Sequence, residues 1–356
     1  MTLSKFADGH DNNFNLIRII AAISVLVGHS FSLLGFEEPL TKLLGMSIGT
    51  LAVDVFFISS GFLVGKSLLT RRSAVEYLAS RFLRIFPALA LLTFLSTFIL
   101  GPLFTTLPLT SYFTNLETYQ FLLKGTTILA GISMNLPGVF EDHKFTAVNG
   151  SLWTIIYELK MYLLLLIFWA VFRRIEKLKI APLGYVLVAV SFVSGLMLIL
   201  QNFHGQNESH LSRFIFMFFT GTSFYVWKDK IQLKPLYFFV FFGLEFCAFF
   251  IGKEIYFAAY CLTIPYLLFY VAYVPAGFIR KFNLIGDYSY GVYIYAFPVQ
   301  QMIISLLPGV SVTVMAAWAI VITFLFAVFS WHCVENPILN KKEHFTKKIL
   351  RLRSIY

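Results

Sequence analysis

The feature that most limits what this chain can fold into is the recurrence of apolar runs about 20 residues long. They cover 14–36, 47–69, 82–104, 152–172, 183–201, 211–227, 235–251, 255–274, 286–307 and 311–333. A bilayer core takes roughly 20 such residues per helix. Helices and closed barrels alone satisfy their backbone in that medium. Composition agrees, at 58% hydrophobic and only 13% charged, against roughly 25% charged in soluble domains. This argues against a soluble enzyme, a nucleic-acid binder and a disordered scaffold. The expected fold is all-α, a polytopic helical membrane protein with about ten transmembrane helices. One integral-membrane domain is expected over 1–340, with a basic tail over 341–356. The first run carries Arg18 and His29 and ends without a small-residue cleavage site, so it reads as a retained span.

The net charge of +10 fits loops on one side of a membrane. With ten spans and both termini cytoplasmic, 22 of the 28 Lys and Arg fall on the cytoplasmic side. The six left over are Lys42, Lys124, Lys144, Lys160, Arg213 and Lys253. If 119–136 were another span, every later loop would change sides and the asymmetry would collapse. The positive-inside rule therefore keeps 105–150 as one long extracytoplasmic segment holding a partly buried helix. The tail from Lys341 reads as a topology anchor against anionic lipid. Cys247, Cys261 and Cys333 lie in or at the end of apolar runs, and their spacing matches no disulfide framework or metal site.

Ionisable groups inside a span cost roughly 2.5 kcal/mol or more at its centre, so those that remain carry information. His29 and Asp54 each lie seven residues from the outer end of their runs, at Phe36 and Ser47, and Glu158 lies seven residues from Ser151. All three thus fall in one outer layer. A histidine there suits general-base work, and a carboxylate suits holding its tautomer. Either Asp54 or Glu158 could do this; a structural ion pair is the competing reading. Ser60, Gly61, Trp153 and Tyr157 are candidates for contacting substrate or an oxyanion, although Trp153 and Tyr157 also suit interfacial anchoring. Lys160 could pair with one of the carboxylates, and Glu245 has no evident partner. At the inner end, Arg81 and Arg84 are one helical turn apart, with Arg18 at similar depth. Such a cluster suits phosphates.

These residues resemble the integral-membrane acyltransferase-3 family, especially its exopolysaccharide and O-antigen acetylase-like members. The resemblance rests on the segment from Arg18 to His29, VDVFFISSGFL at 53–63, RFLR followed by IFPAL, and GSLWTIIYELKMY at 150–162. GDYSYGVYIYAFPVQQ at 286–301 and WHCVENP at 331–337 add to it. It implies transfer of an acyl group, commonly acetyl, from cytoplasmic acyl-CoA to a carbohydrate or glycolipid hydroxyl across the membrane. His29 then falls on the essential histidine and Arg18 on its paired arginine. Arg81 and Arg84 fall on a motif linked with acyl-CoA use, and Ser60 and Gly61 on the SGF motif. Two positions depart from the pattern. Asn15 stands where many members have Asp, and Ala296 where many have His. The expected partners are acyl-CoA, the carbohydrate acceptor and membrane lipid, with no nucleic acid and no metal, in a bacterial inner membrane. The competing classes are a secondary transporter of a saccharide or lipid-linked precursor, with the same groups as a proton relay, and a non-catalytic assembly subunit.

Overall fold

Serines punctuate the apolar runs and decide where several helices begin. Ser47 caps one helix by accepting from the Thr50 amide at 3.1 Å. Ser73 caps the next through Glu76, and Ser209 and Ser311 cap later ones. Such caps satisfy backbone donors that a helix start leaves open. The computed structural model describes residues 1–7, 9, 11–128, 131–174, 180–206 and 209–342. Most of the 341–356 tail, Lys177, Lys179 and the Asn207–Glu208 pair lie outside them.

The described residues form α1 (Phe14–Leu34), α2 (Ile48–Arg71), α3 (Ala74–Leu95), α4 (Leu116–Thr127), α5 (Trp153–Arg174) and α6 (Ile180–Phe203). Then come α7 (His210–Val226), α8 (Pro235–Ile251), α9 (Lys253–Tyr273), α10 (Ser289–Leu306) and α11 (Val312–Ser330). α3 continues through a π turn, Ser96–Leu100, into Gly101–Phe104, and α11 through a π turn, Trp331–Glu335, into Asn336–Asn340. No β-strand occurs among the described residues, only two isolated bridges. The protein is an all-helical integral membrane protein.

Among the described residues, seven helices have the length and hydropathy to cross a membrane, and α8 is a shorter apolar helix. α7 and α10, both expected as spans from their apolar runs, are not among the seven. α7 is short, at 17 residues, and α10 carries two glutamines, two serines and three tyrosines among its apolar residues, so length and composition alone do not count them. Their polar groups are buried, Arg213, Thr222 and Ser223 on α7 and Gln300 and Gln301 on α10.

The chain divides into two compact units. Unit 1 comprises Met1–Ala21, Glu38–Arg72 and Tyr157–Gly286; unit 2 comprises Ala22–Glu37, Ser73–Ile156 and Asp287–Tyr356. In unit 1, α2 and α7 cross backbone to backbone. A Cβ on Gly61 would overlap the Phe218 carbonyl, and one on Gly221 the Ile58 carbonyl. Glycine alone allows that approach. Thr222 of α7 then donates to the Gly61 carbonyl at 2.9 Å.

In unit 2, Pro298 interrupts α10. A proline supplies no N–H, so the carbonyl four residues earlier loses its helical donor. That carbonyl is Ile294, and the Asn149 side chain donates to it at 2.8 Å. The same Asn149 caps the Gly150–Leu152 turn through the Ser151 amide. The segment 131–149 is thereby fastened to α10, and its Leu136, Val139, Phe140 and Val148 share a core with Tyr112 and Phe121. The partly buried helix expected within 105–150 is α4. It lies along α3 and brings Thr126 to Thr93 at 2.7 Å.

Candidate functional site

Unit 2 holds His29. α1 carries it five residues before the helix ends, with its ring edge-on to Phe297 of α10 at 5.4 Å between centroids. Its Nδ1 is buried and has no hydrogen-bond partner among the described residues. Gln300 of α10 donates through Nε2 to the Leu26 carbonyl and to Ser30 Oγ, at 2.8 and 2.7 Å, and its Oε1 is buried without a partner among the described residues. The histidine is thus packed in place by Phe297 while its ring nitrogen stays uncommitted.

Unit 2 also holds Arg84, on α3. Its guanidinium bonds Glu335 Oε2 at 2.8 Å and Asp287 Oδ2 at 2.6 Å, between the rings of Tyr290 and Trp331. The π turn Trp331–Glu335 supplies the buried Glu335, which Ser330 also bonds. π turns often mark functional positions. Arg81, one turn before Arg84, has its Nε 3.4 Å from Ser80 Oγ. Trp153 opens α5 and is half-buried.

Unit 1 holds the two carboxylates. Asp54 is fully buried on α2 and takes both ends of the Arg213 fork, Nε at 2.9 Å and Nη2 at 2.6 Å. The Tyr260 hydroxyl donates to the same carboxylate at 3.0 Å. The ion-pair reading of Asp54 therefore has its partner, Arg213. Glu158 lies on α5. Its Oε1 accepts from Ser60 at 3.3 Å and from the Tyr162 hydroxyl, and the Ser60 and Tyr162 oxygens are 3.1 Å apart. Gly61 is explained by the α2–α7 crossing. Tyr157 packs on Phe214, and Lys160 lies over the Tyr157 ring at 4.8 Å rather than on a carboxylate. Arg18 sits over Phe56 at 5.4 Å. Glu245 accepts from Thr263.

Two of these groupings, Glu158 with Tyr162 and Arg84 with Asp287 and Glu335, join residues that stand out in the sequence to ones that do not. Arg213 is a cation inside an apolar run, and an intramembrane cation calls for a carboxylate, so its pairing has a signal in the sequence. Tyr162, Asp287 and Glu335 lie within the motifs quoted above, yet nothing in spacing alone pairs them with Glu158 or Arg84.

A family model for the acyltransferase domain of the acyltransferase-3 family matches residues 11–332. The chain belongs to the acyltransferase-3 family. It is an acyltransferase, and the match covers both units. Among curated relatives, a protein named O-acetyl transferase from Shigella phage Sf6 is 28% identical over 93% of this chain and 96% of its own length. Nodulation protein 10 of Rhizobium leguminosarum bv. viciae is 31% identical over 53% of this chain and 54% of its own. No solved structure matches. Among the described residues, His29 lies in unit 2 and the Glu158–Ser60–Tyr162 cluster in unit 1.

Proposed function

We propose that this acyltransferase moves an acyl group, acetyl foremost, from cytoplasmic acyl-CoA to a hydroxyl of an extracytoplasmic or lipid-linked carbohydrate, in the inner membrane of a bacterium. The observation that carries this reading is His29: a membrane-embedded histidine, packed against Phe297, with a buried Nδ1 that no described residue occupies. A structural histidine in a helix interface would spend that nitrogen on a partner. The relative named O-acetyl transferase, aligned along nearly the whole chain, supports both the acyl group and the oxygen acceptor.

In this mechanism His29 takes the proton of the acceptor hydroxyl as its oxygen attacks the thioester carbonyl. The carbon–sulfur bond then breaks and the thiolate leaves with the proton. Transfer is direct, with no acyl-histidine. Arg81 is assigned to the phosphates of acyl-CoA. Arg84, already forked between Asp287 and Glu335, is assigned to holding the end of α3 that carries Arg81. Of the carboxylates, Asp54 is assigned to packing and Glu158 to chemistry, because Arg213 and Tyr260 engage both oxygens of Asp54. Ser60 and Tyr162 hydrogen-bond Glu158, and Tyr157 and Trp153 remain substrate-contact candidates. The segment 105–150 is assigned to acceptor choice.

Mass spectrometry of surface glycans from cells with and without the protein tests the reading. Glycans one acyl group heavier in its presence are expected. Identical glycan masses, with an unmodified saccharide accumulating in vesicles, would replace the reading with transport.

A further inference from the structure

Unit 2 contains a second imidazole whose surroundings differ from those of His29. His143 belongs to the segment fastened to α10, and its side chain is 6% exposed. Its ring stacks on Phe140 at 4.9 Å and 15°. Both ring nitrogens are occupied. Nδ1 is 2.9 Å from Gln301 Oε1, and Nε2 is 3.0 Å from Ser305 Oγ.

The Gln301 amide fixes the direction of these bonds. Its Nε2 donates to the carbonyls of Phe145 and Ala147, at 2.5 and 2.7 Å. Both amide hydrogens are spent there, so Oε1 is the atom turned to His143, and an oxygen only accepts. Nδ1 therefore carries the proton and donates. Nε2 keeps its lone pair and accepts from the Ser305 hydroxyl. This is the order of nucleophile, base and orienting group found in nucleophilic catalysis. Gln301 is fully buried, which holds the orienting end rigid. Ser305 is only half-buried, and Leu306–Gly309 beyond it are exposed, so the hydroxyl end is open.

Asp142 Oδ1 lies 3.9 Å from Nε2 on a side chain that is itself exposed, and Ser305 lies in the last turn of α10. A network serving only to pin the loop would need the Gln301 bonds to Phe145 and Ala147, which leave Ser305 out. The site is separate from His29. Phe297, against which His29 packs, precedes Ser305 by two helical turns, about 12 Å.

We propose that Ser305, His143 and Gln301 form a serine-nucleophile site that opens O-acyl esters, an esterase activity distinct from transfer at His29. Ser305 Oγ attacks the ester carbonyl carbon and its proton passes to His143 Nε2. The carbon–oxygen bond to the alcohol breaks, and the alcohol leaves with that proton. Water then attacks the acyl-serine, gives its proton to Nε2, and releases the carboxylic acid as Ser305 is reprotonated.

The test uses the full-length protein in membranes, with a fluorophosphonate probe and with p-nitrophenyl acetate. The peptide holding Ser305 should take up the probe. Ser305→Ala should remove the label and lower ester hydrolysis at least about 100-fold. His143→Gln, which keeps an amide toward Gln301 but no base, should lower both similarly. Ser305→Cys should retain acylation at that peptide, which guards against a folding artefact. His29→Ala should leave label and hydrolysis unchanged, so that failure of this site and failure of the transfer reading are told apart. An unlabelled Ser305 peptide, or hydrolysis indifferent to Ser305→Ala, overturns the proposal.

Discussion

Arg213 of α7 grips Asp54 of α2 with two parallel hydrogen bonds, Nε to Oδ1 at 2.9 Å and Nη2 to Oδ2 at 2.6 Å. Both side chains are buried, Asp54 completely. Removing one partner strands a charge in a medium that cannot solvate it. Asp54→Ala or Arg213→Ala should each cost about 3–5 kcal/mol. Asp54→Leu combined with Arg213→Met should recover most of that loss, leaving the Tyr260 hydroxyl short of an acceptor. Thermal unfolding of the three variants in one detergent checks this; a double variant as unstable as the singles would contradict it.

The same two helices meet at Gly61 and Gly221, where no space exists for a methyl group. Gly61→Ala should therefore push α2 from α7 and sharply lower the yield of folded protein, beyond the roughly 1–3 kcal/mol of ordinary overpacking. Gly243→Ala, in open space on α8, should be tolerated. Size-exclusion profiles of the two variants provide the comparison.

Glu158 offers a cleaner separation of charge from shape. Glu158→Gln keeps an oxygen for the Ser60 and Tyr162 hydroxyls but removes the charge. Thermal stability should stay within about 1 kcal/mol, since neutral hydrogen bonds of that kind contribute about that much. Turnover should fall about 100-fold. Unchanged turnover would make the cluster structural.

Arg81 and Arg84 should part company although they sit one turn apart. Arg81→Ala is expected to raise the apparent KM for acyl-CoA about tenfold, about 1.4 kcal/mol of binding, with kcat nearly unchanged. Arg84→Lys cannot reproduce a fork between Asp287 and Glu335 and should lower thermal stability instead. Kinetics and melting curves on both variants separate the two roles.

How much of the fold and the site is legible in the sequence follows from the medium. Charges are rare in apolar runs, so Arg18, His29, Asp54, Arg84 and Glu158 stand out by their setting alone. Helix starts are legible too, because Ser47, Ser73, Ser209 and Ser311 precede runs. Lateral packing is not. Depth along a helix can be counted in residues, but which helix faces which depends on contacts such as Gly61 on Phe218. That is why Asp54 looks, in the sequence, as suited to a histidine as to Arg213. The tie from Asn149 to Ile294 is hidden as well, since the proline that frees that carbonyl lies far away along the chain.

The central claim is that His29 serves acyl transfer, and the most direct measurement uses membranes supplied with labelled acyl-CoA and a carbohydrate acceptor. Wild-type protein should place label on the acceptor, and His29→Ala, at equal protein level, should do so at least about 100-fold more slowly. Wild-type turnover by His29→Ala would contradict the account.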